Sequence, residues 1–188
     1  MPRIVDHDER RKQVVGIARK VLLQHGLEKF TIRRIAEAAK LSTAIISHYF
    51  RDKRELMLFI FLDTLDITQR RFTQAVEADL STTACLQTLL PTDDESRDNW
   101  KVWIAFWNMT LTDTEFRNQQ VERTESTLQR IRGLLDRDSS SSSKSAEEKD
   151  IEERRIFAVI VGIAIQAIHD PERWTAERQS QVLESEFG

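Results

Sequence analysis

The chain is poor in the residues that break helices or cross-link loops. One cysteine, Cys85, among 188 residues leaves no intrachain disulfide framework and no cysteine-rich zinc site, which suits a reducing compartment. Glycine occurs 5 times and proline 3 times, while Leu, Ile, Ala, Glu, Gln and Arg recur throughout and strand-like alternation is rare. That balance predicts an all-helical protein. No apolar run approaches the roughly 20 residues that span a bilayer. The longest, Ile156 to Ile168, is short and interrupted by Gln166. The first apolar stretch is broken by Arg3, Asp6, Asp8 and Glu9, so it does not read as a signal peptide, and a soluble cytoplasmic protein without membrane contact is expected.

Catalytic signatures are missing as well. There is no Gly-rich phosphate loop, no Gly-x-Ser-x-Gly and no His-Glu-x-x-His. The four histidines, His7, His25, His48 and His169, are scattered, and the acidic clusters Asp93-Asp94-Glu95 and Glu147-Glu148 read as solvated ends. Cys85 reads as a small core residue. The chain is therefore not expected to be an enzyme or to need a metal or a cofactor.

What is present is unevenly charged. The net charge of −3 divides into +6 on residues 1–56 and −9 on the remainder. A basic head on an acidic body is the pattern expected when only the head meets nucleic acid.

Hydrophobic periodicity divides the chain into nine helices, three in a head of residues 1–52 and six in a body of residues 53–188. The first helix is read from Asp8 to His25, with Val14, Ile17, Ala18, Val21 and Leu22 on one face and Gly26 as the stop. Next come Ile32 to Ala39 with Thr31 as N-cap, a turn over Lys40 to Ser42, and Ala44 to Tyr49 capped by Ser42 or Thr43. Asp52 caps a long helix from Lys53 to about Ala78. Thr82 to Leu90 is a short helix ended by Pro91, and Thr92 to Asp98 is read as a loop. An aromatic-rich helix from about Arg97 to Thr110 precedes a polar-faced one from Asp113 to Asp136. The run Arg137 to Ser145, with six serines, is expected to be a solvated connector. An apolar helix, Glu147 to Ile168, and an amphipathic one, Thr175 to Glu186, complete the chain.

The most informative stretch is residues 30–54. Ala36 and Ala39 suit the close crossing of two short helices, and Leu41, Ile35 and Ile46 can seal the small core between them. In a helix-turn-helix the second helix offers its N-terminal residues to base edges in the major groove. Here these are Ser42, Thr43, Ala44, Ile45, Ser47 and His48, short enough for close backbone approach. Ala44 or the Thr43 methyl could meet a thymine methyl, while Ser47 and His48 could bond base edges or phosphates. Thr31, Arg33, Arg34, Tyr49 and Lys53 flank them as phosphate-holding groups, which set register and supply non-specific affinity.

The run Thr31-Ile-Arg-Arg-Ile-Ala-Glu-Ala-Ala, through Ser42-Thr-Ala-Ile-Ile-Ser-His-Tyr-Phe, to Lys53-Arg-Glu-Leu resembles the N-terminal domain of TetR-family repressors. Members carry a Tyr-Phe after the recognition helix and a lysine shortly beyond, here Tyr49, Phe50 and Lys53. The Ile-Ile-Ser-His-Tyr-Phe segment is most similar to BetI-type regulators, whose relatives respond to choline. The resemblance implies repression at double-stranded operator DNA, a homodimer built from the last two long helices, and a cavity in the body for a small-molecule effector, with a quaternary ammonium compound as candidate.

Two segments of the body bear on these implications. Trp100, Trp103 and Trp107 share one helical face with Phe106 beside it. They fit either a ligand wall, where aromatic faces attract cations, or plain core packing. The stretch Ile156 to Ile168 is apolar nearly all round and must be covered on every side. A partner subunit on Phe157, Val161, Gly162 and Ile165, or a wholly internal helix, would each do this. Family members often carry an Asp-Gly pair here; Val161-Gly162 departs from it. An alternative to a small-molecule inducer is control by a protein partner, which the Ser-rich connector and acidic body would suit.

Overall fold

The computed structural model describes residues 7–137 and 144–187, and these form nine helices and no strand. The helices are α1 (His7–His25), α2 (Ile32–Ala39), α3 (Thr43–Tyr49), α4 (Lys53–Glu77), α5 (Thr82–Gln87), α6 (Asp94–Thr112), α7 (Thr114–Arg137), α8 (Ala146–His169) and α9 (Ala176–Glu184). The expected all-helical fold, with a helix-turn-helix ahead of a helical body, is present. Most of the serine-rich connector lies outside the described residues. No described helix is long and apolar enough to cross a membrane.

The boundaries follow from local chemistry. Gly26 adopts φ +71° directly after α1, and its N–H donates to the Leu22 carbonyl at 2.8 Å. Thr31, Ser42, Asp52, Ser81, Asp93, Ser145 and Thr175 each cap a helix by accepting a backbone N–H. One expectation fails at such a cap. Thr92 to Asp98 is not a loop, because Asp93 accepts from the Ser96 N–H at 2.8 Å while Ser96 Oγ accepts from the Asp93 N–H at 3.1 Å. This reciprocal capping box starts α6 at Asp94, within the acidic run that looked like solvated loop.

Two apolar cores hold the helices. The first joins Val14, Ala18, Val21 and Leu22 of α1, Ile35 of α2, Ile46 of α3 and Phe50 to Leu56, Ile60 and Phe61 of α4. It continues into Val102 and Phe106 of α6 and Phe116 of α7, so apolar packing runs unbroken across residue 52. Phe61, Phe106 and Phe116 meet with ring centroids 5.4–6.1 Å apart. Such aromatic pairs add about 0.5–1.5 kcal/mol each beyond area burial. The second core gathers Phe72, Leu86, Leu90, Ile131, Leu134, Ile156, Ile160 and Leu183 from α4, α5 and the turn after it, α7, α8 and α9. α6 is the hub, packing on α1, α4, α7 and α8.

A polar tie reinforces the first core. Arg54, in the first turn of α4, donates to both Asp113 carboxylate oxygens at 2.5 and 2.8 Å and to Glu115 at 2.8 Å. Asp113 caps the junction of α6 and α7, accepting N–H bonds from Glu115 and Phe116. The guanidinium and these amides hold the Asp113 carboxyl down at about 2.

Candidate nucleic-acid interface and ligand cavity

The turn between α2 and α3 is built by Lys40, which takes the left-handed conformation (φ 54°), and by Leu41, whose N–H returns to the Ala36 carbonyl at 2.9 Å. Ser42 then accepts the Ile45 N–H at 3.3 Å and starts α3. Ile46 is the one buried residue of α3 and anchors it against Ile35 and the rest of the first core. With Ile46 turned inward, Ser42, Thr43, Ala44, Ile45, Ser47 and His48 are all exposed, and Tyr49 is half-buried. All the residues expected to read bases therefore lie together on one outward surface.

The flanking groups are similarly placed. Thr31 is exposed and accepts the Arg34 N–H at 3.3 Å as N-cap of α2. Arg33 is exposed and pairs with Glu37 at 3.0 Å, an i,i+4 contact that an anion can displace at little cost. Arg34 is half-buried. Lys53 is exposed, with its ammonium 5.6 Å from the Phe30 ring centroid. Tertiary packing adds two residues that sequence reasoning left out. The His7 ring of α1 lies 4.7 Å from Tyr49 and 5.6 Å from His48, and Arg10 borders a surface hollow with Ala44, Ile45 and His48. Neither carries a local signal, because the start of α1 reaches α3 only through the fold. Arg11, by contrast, is structural, stacking 3.8 Å above the Phe59 ring and pairing with Glu55 at 3.2 Å.

In the body, a cavity of about 90 Å³ lies among α4, α6, α7 and α8. That is the same order as the roughly 150 Å³ that admits one benzene. Phe72, Trp100, Trp103 and Phe157 provide aromatic walls, and Leu65, Leu89, Ile160 and Val161 aliphatic ones. Thr64, Thr68, Gln69, Asn99, Gln120, Thr124 and Thr127 add polar groups, and Arg123 is the one charged residue among the lining, paired with Asp66 at 2.6 Å. The indole N–H groups are committed to the protein: Trp100 donates to the Leu89 carbonyl at 2.9 Å and Trp103 to Gln120 at 2.7 Å.

The four aromatic residues singled out in the sequence separate here. Trp100 and Trp103 line the cavity, Phe106 is fully buried in the first core, and Trp107 is 40% exposed, with its ring 4.7 Å from that of Trp103. One helical face of α6 thus runs from cavity to solvent along its length. On α8, Phe157 and Val161 line the cavity, Ile165 is half-buried, and Gly162 is exposed, with nothing near the position of an added Cβ. Contributions from α4 and α7 escaped sequence reading because threonines and glutamines on a polar helix look like surface until a neighbour covers them. Among the described residues no cluster of His, Cys, Asp or Glu could hold a metal ion.

Comparison with known proteins agrees with this arrangement. Residues 16–59 match the model of bacterial regulatory proteins of the tetR family, and residues 78–187 match the BetI-type transcriptional repressor C-terminal domain. The chain is 32% identical over 187 residues to the HTH-type transcriptional regulator PksA of Bacillus subtilis, covering 97% of this chain and 90% of that one. It is 30% identical over 130 residues to the BetI regulator of Paraburkholderia phytofirmans, covering 66% of each. Similar folds include a transcriptional regulator from Rhodococcus (TM-score 0.81, 20% identity, 95% of this chain and 94% of that one). Another is a regulator from Saccharomonospora viridis in complex with choline (TM-score 0.83, 20% identity, 95% of each chain). The chain belongs to the TetR family of transcription regulators, with a BetI-type C-terminal domain, and is a regulator rather than an enzyme.

Proposed function

We propose that this regulator represses transcription as a homodimer on double-stranded operator DNA and leaves it when a small molecule enters the body cavity. The observation that carries this reading is the path of α4. Its first residue, Lys53, adjoins the recognition surface, and its middle, from Thr64 to Phe72, forms one wall of the cavity. A ligand that pushes on that wall moves the helix that supports the head. Two heads must sit about 34–36 Å apart to enter successive major grooves. A shift of a few ångströms at each head therefore removes specific contacts from both half-sites.

The dimer face is assigned to α8, where Ala158 and Gly162 are exposed one turn apart and permit close helix approach. The effector could be choline or a related quaternary ammonium compound. Four aromatic walls favour a cation, as does the choline bound by the Saccharomonospora neighbour. The absence of any carboxylate from the lining, and the presence of Arg123, favour a neutral ligand instead.

Operator titration by fluorescence anisotropy, with DNA from upstream of the protein's own gene, tests the reading. Salt-dependent binding that prefers operator over unrelated sequence is expected, followed by release on adding choline or one of a panel of small neutral and cationic compounds. Equal affinity for all sequences refutes the regulator. Tight operator binding that no compound weakens refutes the small-molecule effector and favours a protein partner.

A further inference from the structure

Asn99 stands apart among the cavity's polar groups. It is 3% exposed, lines the cavity from α6, and its Oδ1 accepts from the guanidinium of Arg19 on α1. A guanidinium only donates, so the amide oxygen must face Arg19 and the NH2 must face away. That NH2 has no partner, although it is fully buried. Arg19 Nε, on the other side of the same contact, is also buried and unpaired. Buried donors without partners are uncommon, because each gives up its hydrogen bond to water and gains none in return. Several other lining donors are already used, with the Thr64, Thr68 and Thr127 hydroxyls on main-chain carbonyls, the Gln120 amide on Thr124 and both indoles bonded within the protein.

We propose that Asn99 anchors an acceptor oxygen of the effector through its NH2 and passes occupancy of the cavity to the DNA-binding head through Arg19. This rests on the cavity being the effector site and adds the chemistry of the ligand and the route of coupling. The effector is a small, largely apolar molecule carrying a carbonyl, ether or hydroxyl oxygen. The route is short: Asn99 belongs to the helix that walls the cavity, and Arg19 lies on the helix whose Val14, Ala18, Val21 and Leu22 pack the head. An oxygen that draws the amide toward the cavity alters the geometry at Arg19, whose Nε has no partner of its own to hold it in place. Ligand binding and operator binding then compete for one side chain.

The probe is pinacolone, a small, largely apolar ketone with an acceptor and no donor; its hydrocarbon analogue neohexane is the control. Pinacolone at millimolar concentration is expected to raise the melting temperature of the wild type and to release operator DNA, whereas neohexane does so at least tenfold less effectively. Asn99→Asp keeps an oxygen on Arg19 but removes the NH2. Its pinacolone affinity, read by calorimetry on the folded variant, is expected to fall tenfold or more. Arg19→Met is expected to bind pinacolone normally yet stay on the operator when the ligand is bound, an uncoupling that a merely structural bond would not produce. Should Arg19→Met fail to fold, Arg19→Gln takes its place. Wild-type binding of pinacolone by Asn99→Asp, normal release of the Arg19 variant, or no melting shift of the wild type with pinacolone would each overturn the proposal. Release by another compound that is indifferent to Asn99 also overturns it, while leaving the regulator reading intact; a wild type without operator preference fails that earlier reading instead.

Discussion

Ile45 and Ile46 are neighbours with identical side chains, and truncating each to alanine separates folding from recognition. Ile46 is fully buried and Ile45 is 40% exposed. Ile→Ala removes three carbons, a transfer loss of about 2.4 kcal/mol at roughly 0.8 kcal/mol per buried methylene. At Ile46 a cavity term of about 1–2 kcal/mol adds to this, because α3 is pinned at that one point and cannot collapse without leaving the core. Ile46→Ala should therefore lose about 4 kcal/mol, a large part of the roughly 5–15 kcal/mol that holds such a protein together. At Ile45 the transfer loss scales with burial to about 1.4 kcal/mol, with little cavity term. On the proposed reading its methyl groups instead face the groove, where losing one base contact costs about 1–3 kcal/mol, or about 5- to 150-fold in operator affinity. Urea unfolding followed by tryptophan fluorescence measures the first quantity, and anisotropy on operator DNA under conditions where both variants are folded measures the second. The reasoning is refuted if Ile45→Ala unfolds as readily as Ile46→Ala, or if it binds operator as the wild type does.

Three further outcomes are expected. Asp113 has its folded carboxyl held at about 2, below its ordinary value of 3.8, by Arg54 and two amides, so its stabilising contribution is present above pH ~4 and disappears as pH falls through about 2. Asp113→Asn should therefore flatten the acid limb of a melting-temperature profile, and an unchanged limb would remove Asp113 from the acid transition. Lys53→Ala should weaken binding to all DNA sequences alike and lower the slope of log affinity against log salt by about one, whereas a loss confined to the operator would place Lys53 at a base. Phe106→Ala, at a site with no exposed surface, should cost about 3–5 kcal/mol, but Trp107→Ala, at a site 40% exposed, only about 2 kcal/mol in denaturant unfolding. Similar losses for the two would show that Trp107 is covered in solution, for instance by a partner subunit.

The exposed face of α3 was legible because its requirements are local. Thr31, Ser42 and Asp52 announce helix starts, Gly26 announces a stop, and small residues on α2 permit the crossing. Once those helices exist, burying Ile46 leaves only one face of α3 for solvent, and this is the face of Thr43, Ala44, Ser47 and His48. The start of α6 was misread because an acidic, apolar-poor stretch has the composition of a loop, although Asp93 and Ser96 carry the capping-box geometry.

By itself, then, the sequence determined the nine helices of the described residues, the exposed face of α3, and membership in a family of regulators. Helix starts, stops and amphipathic faces depend on near neighbours along the chain, and near neighbours are written in order. Which side of α8 faces the cavity, how Trp100 and Trp103 part from Phe106 and Trp107, and how Arg19 meets Asn99 from 80 residues away were decided only in three dimensions. A helix that is apolar nearly all round carries no mark of what will cover each side. That is settled by the helices that pack against it, and here these include α7 with its polar face of threonines and glutamines.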